Sequence, residues 1–297
     1  MKKNHQLALG ILWILIFVNA KISLSQNTTP AGMLIMRGHI VKSSFNNKSY
    51  QLYVSLPKNY SATDTLHYPV LYVLDGTFSF ASFSSIRQVL DMGREIEDVI
   101  IVAIGDSSQT ESDWLASRYT DYTPSYIPQA DTMWTKMLKV SGRVLMSGGA
   151  GSFLKTLQKE IIPFIDKQYK TNGDRGLSGH SLGGLFVGYC LLSAPELFSK
   201  FAMNSPSLWW NNNELLHSEN SFAKQHPALP VNIFMSVGRL EGTPMISPMS
   251  AFADSLKAHH YEGLSVTTQV FDDETHVSVV PACSSRTLKV LYRRKIK

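Results

Sequence analysis

Two stretches of this chain, Tyr68–Leu74 and Val99–Ile104, are apolar almost without interruption. A strand with one wet face alternates apolar and polar residues. A short, β-branched-rich run that ends in Asp or Gly instead fits a strand buried on both faces, as in a parallel sheet covered by helices. Parallel neighbours need a crossover, and Phe78–Met92 can supply a helix between the two runs. The rest of the chain fits this pattern. Tyr50, Leu52, Val54 and Leu56 alternate as a half-buried strand does, and Asn46-Asn47 can turn the chain from an earlier strand around His39–Ser44. Helical spacing appears at Phe153, Leu154, Leu157, Ile161 and Ile165. Further strands are expected near Lys200–Met203, Asn232–Val237 and Ser265–Phe271, separated and closed by helices near Ser247–His259 and Val277–Tyr292. Repeated β-α units of this kind predict an α/β fold, with a mostly parallel central sheet and helices on both faces. With 297 residues, 44% of them hydrophobic, and no internal repeat or linker, one large domain is expected.

The stretch 106–150 interrupts the pattern. It is rich in Ser, Thr, Asp and Tyr, with Trp114, Tyr119, Tyr122, Tyr126 and Trp134 scattered through it. So long a connection inside one domain is usually functional or mobile, and it reads as a lid-like insertion. Gly148-Gly149-Ala150-Gly151 near its end reads as a flexible hinge. No Lys-Ser/Thr follows it, so it is not a phosphate loop.

Residues 1–25 have the order of a secretory signal peptide, leaving 26–297 as the folded domain. Lys2 and Lys3 precede an apolar run from Leu7 to Val18, and small residues follow at Ala20, Ser23 and Ser25. The run is short for a membrane span of ~20 residues. An exported protein, periplasmic or secreted and without stable membrane insertion after cleavage, is therefore expected. Cys190 and Cys283 read as two buried free thiols rather than a bridge. The formal charge of +5 includes Lys2, Lys3 and Lys21, so the remainder carries 5 − 3 = +2. Without a basic stripe interleaved with aromatics, nucleic acid is not an expected partner. No His-Glu-x-x-His, Cys-x-x-Cys or EF-hand spacing occurs, so neither a metal nor another cofactor is implied.

Gly179-His180-Ser181-Leu182-Gly183 matches G-x-S-x-G, with Gly184 following. The apolar pair Gly176-Leu177 lies upstream and the helix candidate Leu185–Leu192 downstream, which is the strand-turn-helix context this motif needs. Such a turn lifts the serine hydroxyl out of the sheet. It also leaves the Leu182 amide at a helix N-terminus, where it can donate to a developing oxyanion. A serine nucleophile needs a base, and in this kind of fold the chain order is Ser, acid, His. Of the His residues after Ser181, His276 directly follows the strand Ser265–Phe271 and the turn Asp272-Asp273-Glu274. That is the carboxyl end of a strand, where open α/β sheets place their sites. Glu241, in the loop after Asn232–Val237, is the candidate acid. Asp272 and Asp273 are its rivals, and a dyad without an acid is the remaining alternative.

Four stretches together resemble one family: Tyr68–Gly76, Gly179–Gly184, Ser205-Pro206-Ser207-Leu208-Trp209-Trp210 and Thr275-His276-Val277-Ser278-Val279-Val280-Pro281. Over about residues 34–292 the chain is similar to the putative-esterase family of α/β-hydrolases, and most of all to its siderophore-esterase-like branch. S-formylglutathione hydrolase-like enzymes and feruloyl or acetylxylan esterases also belong there. The resemblance implies an α/β-hydrolase fold, with Ser181 as nucleophile and His276 as base. It also implies a second oxyanion amide from Gly76 or Thr77. Glu241 matches the place of the acid only approximately. Val277 stands where relatives often carry Gly.

The implied activity is that of a serine esterase working through an acyl-enzyme on a small-molecule ester, such as a siderophore trilactone or related aryl ester. A carbohydrate acetyl or feruloyl esterase is the alternative, and a catalytically silent binding protein on the same fold is the rival from another class. Trp209 and Trp210 could line a pocket or simply fill the core. Arg118 could bind an electron-rich acyl group beside those aromatics, or pair with Asp121 on the surface.

Overall fold

In the computed structural model, which describes residues 36–294 apart from 64, 109, 141 and 143, the two apolar runs are adjacent parallel strands at the centre of one sheet. The strands are β1 (Met36–Lys42), β2 (Ser49–Ser55), β3 (Tyr68–Leu74), β4 (Ile100–Asp106), β5 (Thr171–His180), β6 (Lys200–Asn204), β7 (Asn232–Gly238) and β8 (Ser265–Phe271). Their spatial order is β1-β2-β4-β3-β5-β6-β7-β8. β1 and β2 pair antiparallel, as do β2 and β4, and every other pairing is parallel.

The helices are α1 (Gly76–Met92), α2 (Glu111–Tyr122), α3 (Pro128–Met137), α4 (Ala150–Thr156), α5 (Ile162–Gln168), α6 (Leu182–Ser193), α7 (Trp210–Ala223), α8 (Thr243–Ala258) and α9 (Val279–Leu291). A π-helical turn, Leu157–Ile161, joins α4 to α5. β3 is buried at every position, and its side chains divide by parity. Val70, Tyr72 and Leu74 enter the larger core under α2, α4, α6, α7 and α8, whereas Leu71 and Val73 meet α1 and α9 on the opposite face. Ile100, Val102 and Ile104 of β4 alternate with Ile101 and Ala103 in the same way. The sheet is thus covered on both faces, as the continuous apolar runs require.

Three regions differ from the sequence reading. The stretch 106–150 carries two helices rather than an irregular connection. Thr110 caps α2 by accepting the Asp113 amide, and Pro128 opens α3, where a missing N–H costs nothing. Gly148-Gly149 is a packed turn, not a flexible hinge. A Cβ at Gly149 would lie 2.7 Å from Thr120 Cγ2, and one at Gly148 2.9 Å from the Tyr126 amide. Trp210–Ala223, where the sequence pattern predicts no element, is helix α7, whose buried Leu215 and Phe222 stand among polar neighbours. β5 extends far beyond Gly176-Leu177 because its first residues are polar and partly exposed.

Cys190 and Cys283 are both buried and free, as expected. The proposed signal peptide, 1–25, lies outside the described residues. Among the described residues no helix is long and apolar enough to cross a membrane.

Phe153 is fully buried, with ring centroids of Tyr50, Tyr122 and Phe186 at 5.1, 5.7 and 4.9 Å. Phe153→Ala should lower unfolding free energy by ~3–5 kcal/mol, through lost burial plus the cavity left behind. Urea denaturation would read this as a lower midpoint at unchanged slope.

Candidate active site

The parallel strands end along one edge, and the loops that leave it carry the candidate residues. β5 ends at His180 and α6 begins at Leu182, so Ser181 alone makes the turn, at φ 61° and ψ −121°. A non-glycine residue in this region is strained by ~1–3 kcal/mol. Neighbouring backbone holds it there: the Ser181 amide donates to Asn204 O at 3.0 Å, and the Ser207 amide donates to Ser181 O at 3.0 Å. The glycines are required by space. A Cβ on Gly179 would sit 2.3 Å from Gly183 O, and one on Gly184 2.9 Å from Pro206 Cα.

His276 lies in the turn between β8 and α9, and its Nε2 is 2.9 Å from Ser181 Oγ. Its Nδ1 meets Glu241 Oε2 at 2.5 Å. The other carboxylate oxygen of Glu241 accepts Ser205 Oγ–H at 2.6 Å and the Gly238 amide at 2.7 Å. The Glu241 side chain is 1% exposed, against 40% for His276. Burial alone would raise the Glu241 pKa, but the hydrogen bonds from His276, Ser205 and Gly238 outweigh it and hold the carboxyl below its ordinary value. Asp272 and Asp273, the rival acids, are exposed, and Asp272 forms an ion pair with Arg239. Of the three carboxylates considered, Glu241 is the one that meets the imidazole.

His180 packs beside this chain. Its ring centroid is 4.6 Å from that of His276, and its enclosed Nε2 has no hydrogen-bond partner. Burial, reinforced by the nearby His276 and Arg118, pushes its pKa down to about 3. It is therefore a neutral neighbour at working pH.

Ser181 opens into a cleft of about 770 Å³. Phe78, Trp114, Trp134 and Trp209 give it aromatic walls, and Val277 stands at its rim, 77% exposed. Trp134 and Trp209 stack at 5.9 Å with planes 26° apart. Trp210 also borders the cleft but is 1% exposed, with its indole N–H donating to Ser125 Oγ at 3.1 Å. It serves the core at least as much as the pocket.

Arg118 borders the cleft too, yet the expected surface pairing with Asp121 does not occur. Asp121 is buried and is taken by Lys48 at 2.6 Å and by the Tyr50 hydroxyl at 2.9 Å. Arg118 pairs with Asp75 instead, and its guanidinium carbon lies 5.0 Å from the Trp114 ring centroid. Leu182 lines the cleft. Gly76 and Thr77 open α1 directly after β3 but are not among the lining residues, whereas Asp75, Phe78 and Ser79 of the same turn are.

Sequence reasoning passed over Ser205, which positions Glu241, and His180 and Asp75. Ser205 has φ 42° and Asp75 φ 54°. Such backbone has no marker in a sequence when the residue is not glycine. Among the described residues no group of three or more His, Cys, Asp or Glu is arranged to hold a metal.

A strained serine, hydrogen-bonded through histidine to a buried carboxylate at the floor of an apolar cleft, is able to support nucleophilic acyl transfer. Comparison with known proteins agrees with that chemistry. Residues 43–244 match the family described as "Putative esterase". The chain is 28% identical over 258 residues to the ferri-bacillibactin esterase BesA of Bacillus subtilis, covering 84% of this chain and 87% of that one. Among solved structures, the BES protein of Bacillus cereus superposes with a TM-score of 0.73 at 27% identity, covering 87% of this chain and 96% of the other. The IroE-like serine hydrolase of Shewanella oneidensis does so with a TM-score of 0.72 at 27% identity, covering 86% and 80%. With this fold, this site and a match over more than half its length, the chain belongs to the Putative esterase family of α/β-hydrolases and is a serine hydrolase acting on carboxylic ester bonds.

Proposed function

We propose that Ser181 is the nucleophile, His276 the general base and Glu241 the orienting acid. The observation that carries this is the hydrogen-bonded chain from Glu241 through His276 to Ser181 at the floor of the cleft. Ser181 Oγ attacks the ester carbonyl carbon as His276 Nε2 takes its proton. Glu241 holds the Nδ1–H tautomer and stabilises the imidazolium. The oxyanion accepts N–H from Leu182 and from Gly76 or Thr77. Collapse breaks the bond to the alcohol, which leaves with the proton from His276. Water then attacks the acyl-enzyme by the same route and releases the carboxylic acid. The oxyanion donors are worth ~3–4 kcal/mol each in comparable enzymes.

The proposed substrate is an ester of the siderophore type, a multi-aryl or otherwise bulky lactone. Likeness to a ferri-bacillibactin esterase across most of both chains supports it. So does the cleft: Trp114 of α2 and Trp134 of α3 face the same space as Trp209, which suits planar groups by stacking. The stretch 106–150 is read as the element that covers the site and selects the substrate. Export of the protein belongs to the same proposal and rests on the charged, apolar, small-residue order of residues 1–25.

Purified protein should hydrolyse catecholate trilactones faster than acetyl or feruloyl sugars, and a fluorophosphonate should label Ser181. No turnover and no labelling would favour the silent binding protein instead. Ser181→Ala and His276→Ala should each abolish turnover, since such groups act as a unit. Glu241→Gln should cost roughly 10²–10⁴-fold in kcat. A loss below tenfold would point to a dyad.

The pH dependence follows from the two neighbours of His276. His180 gains its proton only near pH 3, and Glu241 stays ionised below its ordinary range. The acid limb of kcat/KM should therefore fall with unit slope as pH drops, reporting one ionisation. A slope of two would show that His180 also takes up a proton in that range. Protein recovered from the host envelope should begin between residues 21 and 26, a start that mass spectrometry of the intact chain would reveal, whereas a retained Met1 would argue for an anchor.

A further inference from the structure

The cleft at Ser181 extends over both faces of the sheet. Leu74, Tyr119 and Trp210 belong to the larger core, and with the stacked Trp134 and Trp209 they line an arm toward α2, α3 and α7. Val73 and Phe83 belong to the smaller core on the opposite face, and they line the cleft as well. A second arm therefore runs between α1 and α9. Phe78 and Val277, both exposed, stand at its rim; Ser79 and Phe83 flank it from α1, and Val280, Cys283 and Ser284 from α9. Ser82 Oγ donates to Ser284 Oγ at 3.3 Å and ties the two helices together. From Phe78 to Phe83 the helix rises by about 7–8 Å.

The polar side chains along this second arm are already engaged within the protein. Asn204 donates to Ser178 Oγ at 3.2 Å and accepts from Ser236 Oγ at 2.9 Å. Ser79 Oγ donates to Leu74 O at 2.7 Å, and Ser284 Oγ to Val280 O at 2.8 Å. Cys283 Sγ lies 3.1 Å from Ser236 Oγ, and burial pushes its thiol up to about 12, so it stays uncharged. His180 Nε2 has no partner but is enclosed. The arm thus offers a ligand the apolar surface of Val73, Phe83 and Val280 between small side chains, and the stacked indoles lie in the other arm.

We propose that the arm between α1 and α9 is a second subsite, which takes a slender aliphatic chain attached to the ester carboxyl group while the aromatic arm holds the bulkier half. The inference rests on Ser181 being the nucleophile and extends the proposed activity to esters with one linear alkyl half. An acyl chain and the alkyl chain of an alcohol share this chemistry, and two substrate series separate them. Each methylene buried in such an arm should raise kcat/KM by ~4-fold until the arm is filled.

The test uses the full enzyme and its Val280→Phe, Val280→Ala and Trp134→Ala variants. One series is p-nitrophenyl acetate, butyrate and hexanoate; the other is methyl, butyl and hexyl benzoate. In wild type, kcat/KM should rise by roughly tenfold from acetate to butyrate if the chain enters as the acyl group. A comparable rise from methyl to butyl benzoate instead would place it on the alcohol side of the same arm. Val280→Phe should bring that ratio back toward one by filling the arm. Val280→Ala should raise the ratio of the six-carbon to the four-carbon substrate, and it decides the matter alone if the phenylalanine variant does not fold. Trp134→Ala, in the other arm, should leave both ratios within about twofold.

Chain-length ratios that ignore both Val280 variants but collapse in Trp134→Ala would overturn the inference, because the chain would then lie among the indoles. Equal kcat/KM along both series, in a wild type that a fluorophosphonate labels at Ser181, would sink the second subsite alone. Wild type that neither turns over any of these esters nor is labelled would sink the nucleophile assignment and this inference with it.

Discussion

Everything at the site depends on a single residue making the turn from β5 to α6. Ser181 has to adopt φ 61° because strand and helix meet with nothing between them. That geometry is held by the sheet, not by the turn itself. The Ser181 amide is bonded to the end of β6, and its carbonyl to the segment that follows β6. Gly179 and Gly184 then let helix, strand and the Pro206 backbone come within distances that a Cβ would forbid. The strain is sustained because a parallel sheet buried on both faces has little freedom to relax. The apolar runs Tyr68–Leu74 and Val99–Ile104 thus act on the chemistry at a distance, by making rigid the edge from which the serine projects.

The same logic extends to Glu241. A carboxylate that is 1% exposed would ordinarily take up a proton rather than hold a charge. Glu241 stays ionised because its two oxygens take three hydrogen bonds, from His276, Ser205 and the Gly238 amide. Ser205 is itself strained, at φ 42°, and its amide donates to Ser236 O on β7 at 2.6 Å. Two neighbouring strands therefore cooperate to aim one carboxylate at one imidazole. In such a set the loss of any member leaves a buried polar group unsatisfied, which costs more than the bond it made.

The fold was legible where burial is two-sided or strictly alternating. β3 and β8 match their expected limits, and α1 begins only two residues before the apolar pattern that announced it. Ser181, Glu241 and His276, which the structure joins by hydrogen bonds, could be picked out because each follows a strand whose end was recognisable. What stayed hidden has two physical causes. Helices α2 and α7 bury a narrow stripe under long polar faces, so composition concealed their period, although Thr110 was available as a start signal for α2, as Pro128 was for α3. Contacts between segments distant in sequence, such as Arg118 with Asp75 or Ser205 with Glu241, have no local spacing to betray them. Arg118 and Asp121 share a helix and invited pairing with each other, yet each finds its partner on a strand or at its end.

That division of charges shapes the cleft. Buried ion pairs add little to stability as a rule, because desolvation offsets their attraction. Arg118–Asp75 ties the turn that follows β3 to helix α2 at the border of the cleft. Beside that pair the cleft has the aromatic walls Phe78, Trp114, Trp134 and Trp209, and charges in apolar surroundings are screened less than in water. In such surroundings an amide dipole aimed at the oxyanion, or a carboxylate aimed at an imidazolium, acts far more strongly than it would in water. The aromatic walls therefore bear on the proposed chemistry as well as on the proposed substrate, because apolar surroundings strengthen the action of a fixed dipole beside Ser181.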